Sequence, residues 1–148
     1  MEPLDISEVS RLSGVAASAL RYYEEKGLIA SVGRRGLRRV FHRDVLDRLA
    51  LVALGGAAGF TLGEIARMLG TDRRPRIDRK VLAAKAEELE TSIRRLNAVR
   101  DGLRHAAVCP APSHMECPTF RRLMKAAAVG AFGSPTGAAR RNRRGGGA

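Results

Sequence analysis

Tryptophan is absent from this 148-residue chain, and aromatic residues make up only 4% of it, as two Tyr and four Phe. Much of the core must therefore come from Leu, Val, Ile and Ala, a composition that suits helices. Cysteine is scarce as well. Two in the whole chain exclude a disulfide scaffold and point to a reducing, cytoplasmic setting. No run of about 18 uninterrupted apolar residues occurs, which excludes a transmembrane helix and hence a membrane partner. The segment from Met1 to Ile6 carries acids and no basic-then-apolar stretch, which argues against a secretory signal. No glycine-rich phosphate loop, nucleophile elbow or paired-carboxylate constellation is found, so the chain is not expected to be an enzyme. The length also excludes a large barrel or a doubly wound two-domain enzyme, leaving one domain or a small domain with an appendage.

Acidic residues are outnumbered, 15 against 27 Lys and Arg, for a net charge of +12 and a pI near 11.2. Such an excess calls for an acidic partner, most simply nucleic acid. The net charge is +4 over residues 1–76, +2 over 77–108 and +6 over 109–148. Much of the last value lies in Arg140, Arg141, Arg143 and Arg144. Residues 130–148 are rich in Gly, Ala and Arg, with few apolar anchors, and are expected to form a disordered basic tail.

Asp5 followed by Glu8 forms a capping-box start for a short helix over Ile6 to Leu12, which Ser13-Gly14 breaks. A second helix is expected from Ala17 to Lys26, stopped by Gly27. Two short helices joined by a tight turn containing glycine make a helix-turn-helix. Val9, Leu12, Val15 and Leu20 would pack the pair together, leaving Ser18, Arg21 and Tyr22 on the outward side. Ile29 to Phe41 reads as a hairpin whose tip is Gly33-Arg34-Arg35-Gly36. Its Arg34, Arg35, Arg38 and Arg39 form the densest basic cluster outside the tail. A third helix is expected from Arg43 to Leu54, ended by Gly55-Gly56 and Gly59. Thr61 with Glu64 caps a fourth, which ends at Leu69-Gly70.

Beyond a basic linker, Leu82, Ala86, Leu89, Ile93, Leu96, Arg100, Leu103 and Ala107 recur at alternating steps of four and three. A helix from Asp78 to Ala107 would be about 45 Å long. So narrow an apolar stripe wants a second copy of itself, which makes it a dimerisation seam built on Leu82, Leu89, Ile93, Leu96 and Leu103. A proline-bounded loop from Cys109 to Pro118 and a short helix from Thr119 to Ala128 follow.

This order of elements resembles the MerR family of bacterial transcription regulators. The resemblance spans about residues 5–118. It is carried by Ile6-Ser7-Glu8-Val9, by Leu20-Arg21-Tyr22-Tyr23-Glu24-Glu25-Lys26-Gly27-Leu28, by Arg35-Gly36-Leu37-Arg38-Arg39-Val40-Phe41 and by Gly59-Phe60-Thr61-Leu62. Leu37 stands where the family usually has Tyr. The resemblance implies a mainly α fold, a winged helix-turn-helix DNA-binding domain followed by a long dimerisation helix paired as an antiparallel coiled coil. It also implies a homodimer on double-stranded promoter DNA. Effector binding would bend and untwist that duplex and realign the promoter for RNA polymerase, a nucleoid-associated role resting on DNA deformability. Matching positions make Ser18, Arg21 and Tyr22 contacts on the recognition helix and Arg34, Arg38 and Arg39 phosphate contacts in the wing.

The effector site of the family lies where the long helix ends. Cys109 and Cys117, in their proline-bounded loop, resemble the metal loop of the copper-efflux branch, whose soft thiolates suit Cu(I) and also Zn(II). His105 and His114 lie close in sequence, so His105, Cys109, His114 and Cys117 make a candidate tetrahedral set. The stretch Arg73 to Asp78 contains neither the Cys nor the Ser that metal-sensing branches place there. A cysteine pair acting as a redox or electrophile switch, and a structural loop, are the alternatives. Two cysteines are too few for a four-cysteine iron–sulfur cluster. Residues 119–148 are too few for a large drug-binding domain. The expected division is residues 1–76 for DNA binding, 77–108 for dimerisation, 109–129 for the effector loop and short helix, and 130–148 for the tail.

Overall fold

The computed structural model describes residues 2–133, so most of the expected tail, from 134 onward, lies outside the described residues. The chain divides into two compact units that meet at Arg79 and Lys80. The first contains β1 (Leu4–Asp5), α1 (Ile6–Ser13), α2 (Ala17–Glu25), β2 (Gly33–Arg35), β3 (Arg38–Phe41), α3 (Val45–Ala57) and α4 (Leu62–Leu69). The second contains most of α5 (Arg79–Val108), a single 3-10 turn (His114–Glu116) and α6 (Pro118–Ala128). The fold is mainly helical, with a winged helix-turn-helix followed by one long helix. No helix among the described residues is long and apolar enough to cross a membrane.

Local chemistry starts the first unit. Asp5 accepts the Glu8 N–H at 2.9 Å, and Glu8 returns a bond from the Asp5 N–H at 2.8 Å, closing the capping box of α1. The Glu8 N–H is the chief cause holding the Asp5 carboxyl below its ordinary pKa, with Arg38 also contributing. Gly14 ends α1 in the left-handed region at φ 75°, where other residues are strained. Thr61 and Glu64 form the same reciprocal box at the start of α4, each bond 3.1 Å.

The sequence did not announce β1. Leu4 and Asp5 pair antiparallel with Phe41 and Val40, and β3 pairs on its other side with β2, giving sheet order β1-β3-β2. Gly33 to Arg35, expected at the hairpin tip, form β2 itself, and the turn falls at Gly36-Leu37. The register sends Phe41 into a core with Leu4, Ile6, Val9, Leu20, Ile29, Val45 and Leu49. Tyr23 and Leu46 pack against that cluster. Leu12, expected inside, is instead 47% exposed.

The largest departure concerns Gly55-Gly56. Rather than ending α3, both lie within it, and the helix runs on to Ala57. Gly55 is buried, and a Cβ built there would sit 2.9 Å from Ile65 of α4. The glycine therefore serves close helix approach, not chain reversal, and burial of Ile65 beside it outweighs its poor helix propensity. Arg48 of α3 donates to the carbonyls of Leu28, Gly70 and Asp72, tying the end of α2 and the segment after α4 to one side chain. Gly55→Ala is expected to destabilise the first unit by about 1–3 kcal/mol through overpacking against Ile65. Gly56→Ala, with nothing within 4 Å, is expected to be neutral or stabilising by up to about 1 kcal/mol. Urea unfolding of both variants checks the pair.

Candidate nucleic-acid interface and thiol site

The exposed face of α2 carries Ser18 and Arg21, both open to solvent, and the half-buried Tyr22. The Lys26 ammonium sits 5.5 Å above the Tyr22 ring centre, a cation–π contact that holds the ring on this face. The wing brings its arginines to the same face. Arg21, Arg34, Leu37, Arg38 and Arg39, with Ile6, line one depression of about 170 Å³. Four arginines line this space, and although Asp5 and Glu24 offset two of them, the concavity stays basic and suits a phosphate oxygen. Ser18 and Tyr22 do not line it.

The wing arginines are not equivalent. Arg38 pairs with Asp5 at 3.4 Å and keeps 63% of its side chain exposed. Arg39 Nε lies 3.2 Å from Glu24 Oε2, with both side chains largely covered, and Ser31 Oγ donates to the other oxygen of Glu24 at 3.1 Å. Arg39 thus joins β3 to α2 and fixes where the wing stands relative to the recognition helix. Asp5 and Glu24 are functional neighbours that sequence reasoning missed. Their partners lie 33 and 15 positions away in the chain, beyond any local pattern.

The second unit gathers the thiol site. His105 stands one turn before the end of α5, Cys109 lies just beyond it, and Cys117 caps the start of α6. One donor atom from each falls within 4.8 Å of the others. His105 Nε2 lies 3.3 Å from Cys117 Sγ. The Cys117 thiol is held down at about 7, first by the Phe120 backbone N–H at the start of α6 and then by Cys109, His105 and Thr119, against the opposing effect of burial. Two sulfurs each about 2.3 Å from a thiophilic ion lie no more than about 4.6 Å apart, so the set needs only slight contraction to share one. His114 is not brought into this group. Its Nε2 bonds the Ala106 carbonyl at 2.9 Å instead.

Residues 4–71 match the model of the MerR HTH family regulatory protein, and residues 46–106 match the MerR DNA-binding model. The chain belongs to the MerR family. An HTH-type transcriptional activator SoxR homolog of Chromobacterium violaceum is 33% identical over 122 residues, covering 79% of this chain and 82% of that protein. The HTH-type transcriptional regulator CueR of Salmonella typhi is 32% identical over 126 residues, covering 81% and 91%. HiNmlR, a MerR family regulator lacking the sensor domain and solved bound to promoter DNA, shares the fold at a TM-score of 0.54 and 20% identity. That match covers 87% of this chain and 96% of HiNmlR.

As a MerR protein the chain is a DNA-binding transcription regulator and not an enzyme. Within that family role, the unequal surroundings of the wing arginines have a measurable consequence. Arg34→Ala is expected to lower the slope of log affinity against log salt on duplex DNA by about one. Arg39→Ala is expected to change that slope less but to lower the melting temperature, because Glu24 Oε2 loses its ion-pair partner while Oε1 keeps Ser31. Fluorescence anisotropy over a salt series, with thermal melts of both variants, separates the two roles.

Proposed function

We propose that this MerR regulator is a cytoplasmic, nucleoid-associated homodimer that distorts promoter DNA when a thiophilic metal ion binds its Cys109–Cys117 loop. Cu(I) suits the site best and Zn(II) is the second candidate. Residues 1–76 bind DNA, 77–108 dimerise, 109–129 sense the effector, and 130–148 add a basic tail. The observation that carries the effector assignment is the convergence of His105, Cys109 and Cys117 within 4.8 Å. Two thiols and an imidazole are soft and borderline donors, and three donors fall short of the four that close a structural zinc site. The CueR relative supports the same branch. DNA contacts are assigned to Ser18, Arg21, Tyr22, Arg34 and Arg38, with Arg39, paired to Glu24, contributing mainly by placing the wing, and RNA polymerase is engaged through the shared promoter.

Dimerisation is assigned to Leu82, Leu89, Ile93, Leu96 and Leu103 of α5. These side chains are 38–67% exposed in the single chain, and none of the 30 residues of α5 is buried. A long helix with a heptad seam and no buried face requires a partner, and an antiparallel copy supplies one. In the second reading, Cys109 and Cys117 give up two protons and two electrons to an oxidant and join as a disulfide. The lowered Cys117 thiol favours it, whereas the burial of Cys117 slows any bulky reagent.

Native mass spectrometry of the anaerobically purified protein, titrated with Cu(I) and then Zn(II), tests the metal reading. One ion per subunit is expected, lost in a Cys109→Ser/Cys117→Ser double variant. A dimer that takes up neither ion overturns that reading, and a loss of about 2 Da on oxidation would then mark the disulfide switch.

A further inference from the structure

The loop between Cys109 and Cys117 is closed by groups that carry no sulfur. The last carbonyls of a helix have no partner within it, and the Ala106 carbonyl, two residues before the end of α5, is one of these. His114 Nε2 donates to it at 2.9 Å. The His114 ring also packs on Phe120 of α6, centroids 5.4 Å apart and tilted by 48°. On the backbone side, the Cys117 N–H donates to the His114 carbonyl at 3.2 Å. One residue thus joins the end of α5, the 3-10 turn and the first turn of α6. Cys117, whose N–H closes this turn, is only 2% exposed.

We infer that His114 is a latch, a positioning residue that folds the loop over Cys117 and holds its sulfur beside His105 and Cys109. Its Nε2 is committed to a backbone carbonyl, so its effect on any ion is exerted through the loop and not by ligation. A donor set assembled in advance spares the ion the cost of ordering the loop. The consequence for metal affinity rests on the effector reading above, but the latch itself exists in the metal-free protein and is tested there.

The experiment is iodoacetamide labelling of the full-length, reduced, metal-free protein at pH 8, with Cys117 followed by peptide mass spectrometry. Without the hydrogen bond and ring contact, His114→Ala is expected to label Cys117 roughly tenfold faster than wild type, a shift of about 1.4 kcal/mol in loop opening. His114→Gln, which keeps an N–H donor for the Ala106 carbonyl, is expected to recover most of the protection, an outcome that general unfolding would not give. Equal labelling of wild type and His114→Ala overturns the latch. A Cu(I) titration against a competing chelator forms the second arm. The latch predicts an unchanged one-ion stoichiometry in His114→Ala with affinity lowered roughly tenfold. Loss of that stoichiometry, not rescued by Gln, would make His114 a ligand and also overturn it. Wild-type protein that binds no Cu(I) but shows the labelling pattern would sink the metal reading and uphold the latch.

Discussion

The complete burial of Phe41 at the end of β3 sets the position of nearly everything in the first unit. Its ring occupies the centre of a cluster drawn from α1, α2, α3 and the edge strand β1, so the wing cannot slip by one residue without turning Phe41 outward. Strand register therefore decides where Arg34, Arg38 and Arg39 project. With Leu20 also fully buried, α2 has one permitted rotation, which leaves Ser18 and Arg21 facing solvent. The basic, solvent-facing surface of α2 and the wing follows from an apolar constraint behind it.

Charge then refines what packing allows. A face this basic would repel itself, and Asp5 and Glu24 are set among the wing arginines. Glu24 holds Arg39 tightly and Asp5 holds Arg38 loosely, so the arginines divide into one that braces the wing and others that remain able to meet phosphate. Exposed ion pairs contribute little stability in water. Their value here lies in pre-setting guanidinium positions in a depression narrow enough for one anionic group.

The thiol site depends on a helix end in the same way. Backbone N–H groups at the start of α6 point at Cys117 and favour its thiolate, while the last turn of α5 offers His105 to the sulfur and a free carbonyl to His114. The two histidines, His105 four positions before Cys109 and His114 three before Cys117, have different tasks because one lies on the helix and the other in the turn. Close packing of Leu123 of α6 over Gly102 of α5 keeps both elements in register. Any larger side chain at Gly102 would meet Leu123 at 2.5 Å.

Local interactions were legible in the chain itself. Both capping boxes, the glycine stops of α1 and α4, the heptad seam of α5 and the recognition-helix run from Arg21 to Gly27 depend on residues three or four positions apart, whose meeting is dictated by helix geometry. The candidate arginines, cysteines and histidines were legible for the same reason, as residue types in short segments. Tertiary structure alone decided that Leu4-Asp5 form a strand, that Gly55-Gly56 continue a helix, that Arg39 belongs to Glu24, and that His105 but not His114 joins the cysteines. Each of these outcomes depends on groups distant in sequence or on the direction a side chain takes after packing. Such choices follow from which arrangement buries apolar surface while leaving every polar group a partner, a condition that only the whole fold can meet.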